Sequence, residues 1–158
     1  MIILAIDPGY NTGLAVVDTK AGKVLWHKTV TGGWKARTKI INEIHSVLMY
    51  PEEHDAIHLT LVQSPMAQDK IPSYNYSGKQ SPISLAKNIG LSCYIFGFVD
   101  GIDCITQSHG IKLIPPQRGK GMKMDASLFY KIHPEVKRCS EHVRDAVNMA
   151  LGYTEIGG

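Results

Sequence analysis

The segment that most constrains the fold is ILAIDPGYNTGLAVVD, residues 3–18, an apolar run with one carboxylate, Asp7, in its middle. A lone buried carboxylate costs several kcal/mol unless it is paired, hydrogen-bonded or bound to a metal. One interpretation is a cation or charged partner at Asp7. The other is a simple turn, because Asp-Pro-Gly favours turns and an Asp side chain can bond the following backbone. The segment alone leaves both open.

Composition predicts one globular domain covering residues 1–158, since 44% of the residues are hydrophobic and 20% are charged. We find no apolar stretch of membrane-spanning length and no basic leader, so we expect a cytoplasmic protein. Three cysteines without a C-x-x-C pair argue against a disulfide framework or a zinc cluster. We expect Cys93 and Cys104 to be buried, because they lie in an apolar segment.

The order of apolar patterns predicts an α/β fold. Three strands joined in sequence lead into alternating helices and strands, which indicates a five-stranded mixed sheet, antiparallel in strands 1–3, with helices on both faces. The predicted strands cover residues 2–7, 12–19, 23–30, 56–62 and 111–116. The predicted helices cover residues 36–49, 83–105, 124–132 and 140–153.

The predicted helix 83–105 is apolar on nearly all sides. Such a helix must be buried on more than one side. The second side is covered either by another subunit or by the rest of this chain.

Two long connections are candidates for function. Residues 63–82 are polar and contain three prolines, and a loop of this length in a small domain is usually functional or mobile. Residues 115–125 carry cations among glycines, an arrangement that suits phosphate binding but also an ordinary solvated loop. The net charge of +3 permits a nucleic acid partner without requiring one.

The last predicted helix begins SEHVRDAVNMALGY, with Ser140 as N-cap. His142 and Asp145 are three residues apart and therefore share one helical face. Together with Asp7 they form a sensible ligand set for Mg²⁺ or Mn²⁺. The alternative is structural, because acids are favourable at helix N-termini and an isolated His142 would be an ordinary surface residue.

The two end motifs together, AIDPGYNTGLAVVD and HVRDAVNMALGY, resemble the RuvC family of Holliday junction resolvases in the RNase H-like superfamily. The element order is similar over essentially the whole chain. The resemblance implies an RNase H-like fold and a homodimer formed through helix 83–105. It also implies an endonuclease, dependent on two Mg²⁺ ions or on Mn²⁺, that makes paired symmetric nicks in four-way DNA junctions and leaves 5′-phosphate and 3′-hydroxyl ends. Such an enzyme would act in a bacterial cell or a phage-infected host.

The resemblance also implies the metal-binding catalytic residues, which are Asp7, Gln63, His142 and Asp145. At the end of strand four the family has Glu, and this chain has Gln63. A neutral amide oxygen binds Mg²⁺ far more weakly than a carboxylate. We interpret Gln63 as an inactivating replacement of a natural Glu; the alternatives are a natural non-cleaving junction binder and a site in which Asp69 substitutes.

The DNA-binding residues implied by the resemblance lie in the two long connections. They are Lys70, Tyr74, Tyr76, Lys79, Arg118, Lys120 and Lys123. The cations would bind phosphates, and the tyrosines would either stack on bases at the branch point or pack their own loop. A rival function is an RNase H-like nuclease acting on another branched or hybrid nucleic acid.

Overall fold

The computed structural model describes residues 1–49, 57–63, 82–106, 110–114 and 124–153. The strands are β1 Ile2–Asp7, β2 Asn11–Asp18, β3 Lys23–Thr31, β4 Leu59–Gln63 and β5 Gly110–Ile114. The helices are α1 Arg37–Met49, α2 Pro82–Thr106, α3 Ala126–Ile132 and α4 Glu141–Leu151, and a short 3₁₀ helix, Gly33–Ala36, precedes α1. The predicted α/β class and element order are therefore confirmed, with boundaries shifted by a few residues.

The five strands form one mixed sheet in the order β3-β2-β1-β4-β5. β1 pairs antiparallel with β2, and β2 pairs antiparallel with β3, as predicted for strands 1–3. β4 lies parallel to β1 on its other side, and β5 lies parallel to β4. The carboxyl ends of β1, β4 and β5 consequently meet at one edge of the sheet.

The central strand β1 is buried on both faces, and its side chains pack alternately into two separate cores. Leu4 and Ile6 pack into a core under α1 and α2. Ile3 and Ala5 pack into a core under α3 and α4 on the opposite face. Helices therefore cover both faces of the sheet.

Helix α4 lies unusually close to β2. A Cβ atom added at Gly13 would lie 2.3 Å from both the carbonyl carbon and oxygen of His142. Because only backbone occupies that space, glycine is required at this position. The close approach sets the depth at which the first turn of α4 lies over the sheet.

Two further contacts hold the beginning of α4. The Ser140 hydroxyl accepts a hydrogen bond from the Val143 amide at 3.3 Å, which caps the helix, and it lies 2.8 Å from the Thr29 hydroxyl on β3. Before the helix, the Glu135 carboxylate accepts a hydrogen bond from the Val24 amide at 2.9 Å. Partial burial raises the pKa of Glu135. The hydrogen bond from Val24 and the other hydrogen bonds of this carboxylate outweigh burial, so its pKa is lowered overall.

Helix α2 buries one face, carrying Leu91, Ile95 and Val99, against the sheet. The expectation that Cys93 and Cys104 are buried is wrong, because both lie on the other face and are exposed. Ile83 is exposed as well, and the described part of this chain leaves the face with the two cysteines open. Tyr94 lies on the flank of the helix, where its exposed ring contacts Trp34. No described helix is long and apolar enough to cross a bilayer.

The close approach at Gly13 predicts that Gly13→Ala lowers the free energy of unfolding by at least about 3 kcal/mol, because backbone atoms cannot move aside cheaply. Urea unfolding followed by circular dichroism measures this loss.

The matched control is Gly97→Ala in α2, where an added Cβ would meet no described atom within 4 Å apart from its chain neighbours and the backbone of its own helix. It should be neutral, or stabilising by about 0.5–1 kcal/mol, as for alanine in a helix. Equal stabilities of the two variants would contradict the packing described here.

Candidate functional site

Two of the predicted ligands lie at the carboxyl ends of neighbouring strands. Asp7 ends β1 and Gln63 ends β4, and the parallel register pairs the residues just before them, Ile6 with Val62. Neighbouring strands are about 4.8 Å apart, so the two residues are adjacent.

Strand alternation also places both residues on the face covered by α4. On β1, Ile3 and Ala5 face that side, and Asp7 continues their alternation. On β4, Leu59 and Leu61 face that side, and Gln63 continues theirs. The two polar ends therefore open towards the same helix.

Helix α4 contributes His142 directly to Asp7. The Nδ1 atom of His142 lies 2.6 Å from Oδ2 of Asp7, which is buried with 8% of its surface exposed. Since an ionised carboxylate can only accept a hydrogen bond, Nδ1 carries a proton and donates the hydrogen bond to Asp7. This contact provides the compensation that a carboxylate in an apolar strand requires.

The pKa of His142 is raised above its ordinary value. The hydrogen bond to Asp7 is the largest cause; the charges of Asp7, Asp145 and Glu141 add to it, and partial burial opposes it. Asp145 is half-buried, one helical turn after His142. The negative charges of Glu141 and Asp145 therefore both act on the Asp7–His142 pair.

The turn between β1 and β2 is closed beside this pair. The Thr12 hydroxyl donates a hydrogen bond to the carbonyl of Gly9 at 3.2 Å. A Cβ added at Gly9 would lie 3.4 Å from the His142 ring. The sequence left open whether Asp7 belongs to a turn or has a charged partner. Both are present, because the chain turns directly after Asp7 and His142 contacts its carboxylate.

The donor set suits a hard divalent cation in its chemistry, because it combines carboxylate oxygens, an amide oxygen and an imidazole nitrogen. Within the described residues, however, no three His, Cys, Asp or Glu side chains form a group that could hold a metal ion. In the structure, Asp7 and His142 bind each other. A metal ion could bind to both residues only if the hydrogen bond between them were broken and each side chain coordinated the ion instead.

The predicted DNA-binding residues lie outside the described residues, and so does Asp69. They are Lys70, Tyr74, Tyr76, Lys79, Arg118, Lys120 and Lys123.

Sequence reasoning missed the residues that position the site. Gly13 permits the approach of α4, and Thr29 on β3 meets the Ser140 cap. A glycine inside an otherwise apolar strand was an available signal for Gly13, because such a glycine often marks a close backbone approach. No local pattern pointed to Thr29, which lies 111 residues from Ser140 in the chain.

Comparisons with known proteins found no matching family model, no similar curated protein and no similar solved structure.

The raised pKa of His142 predicts how stability depends on pH. A group whose pKa is higher in the folded state stabilises fully below its unfolded pKa, about 6.5, and loses that contribution as pH rises through the folded pKa. The difference in unfolding free energy between the native chain and His142→Gln should therefore shrink as pH rises from about 6 to above the folded pKa. Denaturant titrations across this range measure it.

His27→Gln provides a control of opposite sign, because burial lowers the pKa of His27. Protonating a half-buried histidine whose pKa is lowered costs stability as pH falls, so the unfolding free energy of this variant should rise relative to that of the unsubstituted chain at acidic pH. If both variants showed the same pH dependence, the described Asp7–His142 contact would be contradicted.

Proposed function

We propose that this chain is a RuvC-type, metal-dependent endonuclease of RNase H-like fold that nicks four-way DNA junctions. The observation that carries the proposal is the meeting of Asp7, Gln63 and His142 at one corner of the sheet, with His142 2.6 Å from Asp7. Asp7 and His142 lie in the two end motifs that resemble that family, and Gln63 stands at the strand-four position where the family has Glu. The strand order, with three antiparallel strands followed by two parallel ones, supports the fold part of the proposal.

Asp7, Gln63, His142 and Asp145 would hold two Mg²⁺ ions, or Mn²⁺ in their place. When bound, the ions would activate a water and stabilise the leaving 3′ oxygen, which yields 5′-phosphate and 3′-hydroxyl ends. Asp7 contributes a carboxylate fixed by the central strand. His142 holds a proton at Nδ1 and gives up metal affinity when its ring is fully protonated.

Gln63 weakens this site as the chain stands. Its amide oxygen is neutral, whereas Glu would add a second carboxylate next to Asp7. We propose that Gln63 replaces a natural Glu and impairs cleavage while leaving DNA binding intact. A junction-binding protein that never cleaves is the second candidate, and the neutral Gln63 is the observation that favours it.

The exposed face of α2 is proposed to pair with a second copy of the chain. Ile83, a large apolar residue, is exposed on that helix, as are Cys93 and Cys104. A two-fold homodimer would present two sites to a four-way junction, as paired symmetric nicks require. The cations and tyrosines of the two long connections are proposed to bind the junction arms, and the cytoplasm is proposed as the location.

The proposal predicts that Gln63→Glu cuts a labelled synthetic four-way junction in Mg²⁺ or Mn²⁺, because the added carboxylate increases metal affinity. The chain with Gln63 should bind the same junction but cut it about a hundredfold more slowly, equivalent to about 2.7 kcal/mol in the barrier. Denaturing gels should show paired nicks at symmetric positions, and light scattering should give a mass of two chains.

The double variant Asp7→Asn/Gln63→Glu is the matched control and should bind without cutting. Cleavage that survives Asp7→Asn would contradict the assignment of the site. If Gln63→Glu and the native chain both bind the junction and neither cuts it, the non-cleaving candidate replaces the nuclease. If neither prefers the junction over linear duplex, both candidates fail.

A further inference from the structure

An exposed aromatic residue lies immediately beyond the candidate site. Tyr10 is three residues after Asp7 and has 69% of its surface exposed. Its backbone is held firmly, because its carbonyl accepts hydrogen bonds from the amides of Gly32 and Gly33 at 2.8 and 3.0 Å. Its ring lies beside Gly33, where an added Cβ would be 3.8 Å from Cδ2 of Tyr10. A large planar ring is thus presented to solvent on a rigid support.

A second aromatic group follows directly on the 3₁₀ helix. Trp34 is 37% exposed and makes an edge-to-face contact with Tyr94 at a centroid distance of 5.8 Å. The Arg37 guanidinium lies over the Trp34 ring at 4.8 Å and donates a hydrogen bond to the Trp34 carbonyl at 3.1 Å. Guanidinium planes as well as aromatic rings are surfaces on which nucleobases stack.

The segment that carries Trp34 is positively charged. Lys35, Arg37 and Lys39 follow one another at alternate positions, and no acid occurs between Gly32 and Asn42. The first acid after them, Glu43, forms an ion pair with Lys28 at 2.7 Å. Exposed rings among cations are the combination that binds single-stranded nucleic acid, since the rings stack on bases and the cations bind phosphates.

We propose that Tyr10, Trp34, Lys35 and Arg37, here called the Tyr10 surface, bind an unpaired segment of the nucleic acid, with a base stacked on Tyr10. The assignment of this segment to the substrate of the candidate site rests on the proposed function. A second copy of the chain is the less favoured occupant, because a symmetric contact would bring two cationic segments together. The surface would hold an opened strand next to Asp7.

The test compares two fluorescein-labelled oligothymidylates of equal length and charge, one of which lacks its bases. Anisotropy titrations should show that Tyr10→Ala weakens binding of the base-containing strand about tenfold, as expected for the loss of one stacking contact, and changes binding of the abasic strand less than about twofold. Tyr10→Phe keeps the ring and should bind both strands as the native chain does. Because the Tyr10 side chain is highly exposed, Tyr10→Ala and Tyr10→Phe should fold as the unsubstituted chain does, so the three proteins can be compared.

Trp34 gives an independent readout. The chain has two tryptophans, so Trp26→Phe leaves Trp34 as the sole tryptophan, whose emission can be excited selectively over that of the tyrosines. The base-containing strand should quench its emission and the abasic strand should not.

Equal effects of Tyr10→Ala on the two strands would overturn the inference, and so would a change from two chains to one in light scattering of that variant. Junction cleavage by Gln63→Glu without discrimination between the strands would refute the Tyr10 surface and leave the proposed function standing. Discrimination without cleavage would support the surface and refute the nuclease.

Discussion

The contact between Asp7 and His142 is the interaction on which the site depends. Asp7 ends a strand buried on both faces, where an uncompensated carboxylate would cost several kcal/mol. His142 supplies the compensation from a residue 135 positions later in the chain. This contact ties the first strand to the last helix, so folding must bring the two ends of the domain together before the polar corner is stabilised.

Close backbone packing makes that contact possible. Gly13 lets the first turn of α4 approach β2 to a depth that no side chain would allow. The Ser140 cap and its neighbour Thr29 hold the same turn over the edge of the sheet. His142 consequently reaches Asp7 from a helix that is fixed by its buried residues, which pack in the core. The site is thus built on rigid elements, with the turn after β1 beside it.

Much of the fold follows from local patterns in the sequence. The continuous apolar run of β1 predicted a central strand, and helical spacing predicted α1 and α4, because these signals need no long-range information. The wrong prediction for Cys93 and Cys104 shows the limit of that reasoning. A helix that is apolar on all sides does not reveal which face meets the sheet, and the exposed face of α2 became visible only from its packing.

For the site, the sequence identified the chemical types and the structure supplied the geometry. The spacing of His142 and Asp145 predicted a shared helical face, but it could not predict that the His142 ring would bind Asp7 directly. The Tyr10 surface was not foreseen, because two backbone hydrogen bonds hold Tyr10 against Gly32 and Gly33, the residues directly before Trp34. Such contacts depend on backbone conformation rather than on residue pattern.

The most direct test of the central claim is calorimetric titration of Mn²⁺ into the full chain. We predict that Gln63→Glu binds Mn²⁺ about tenfold or more tightly than the chain with Gln63, and that Asp7→Asn abolishes this binding, because both positions present side-chain oxygen atoms at one corner of the sheet. Asp100→Asn, at an exposed position on α2, should leave the affinity unchanged. Mn²⁺ binding that is indifferent to both Gln63→Glu and Asp7→Asn would contradict the account.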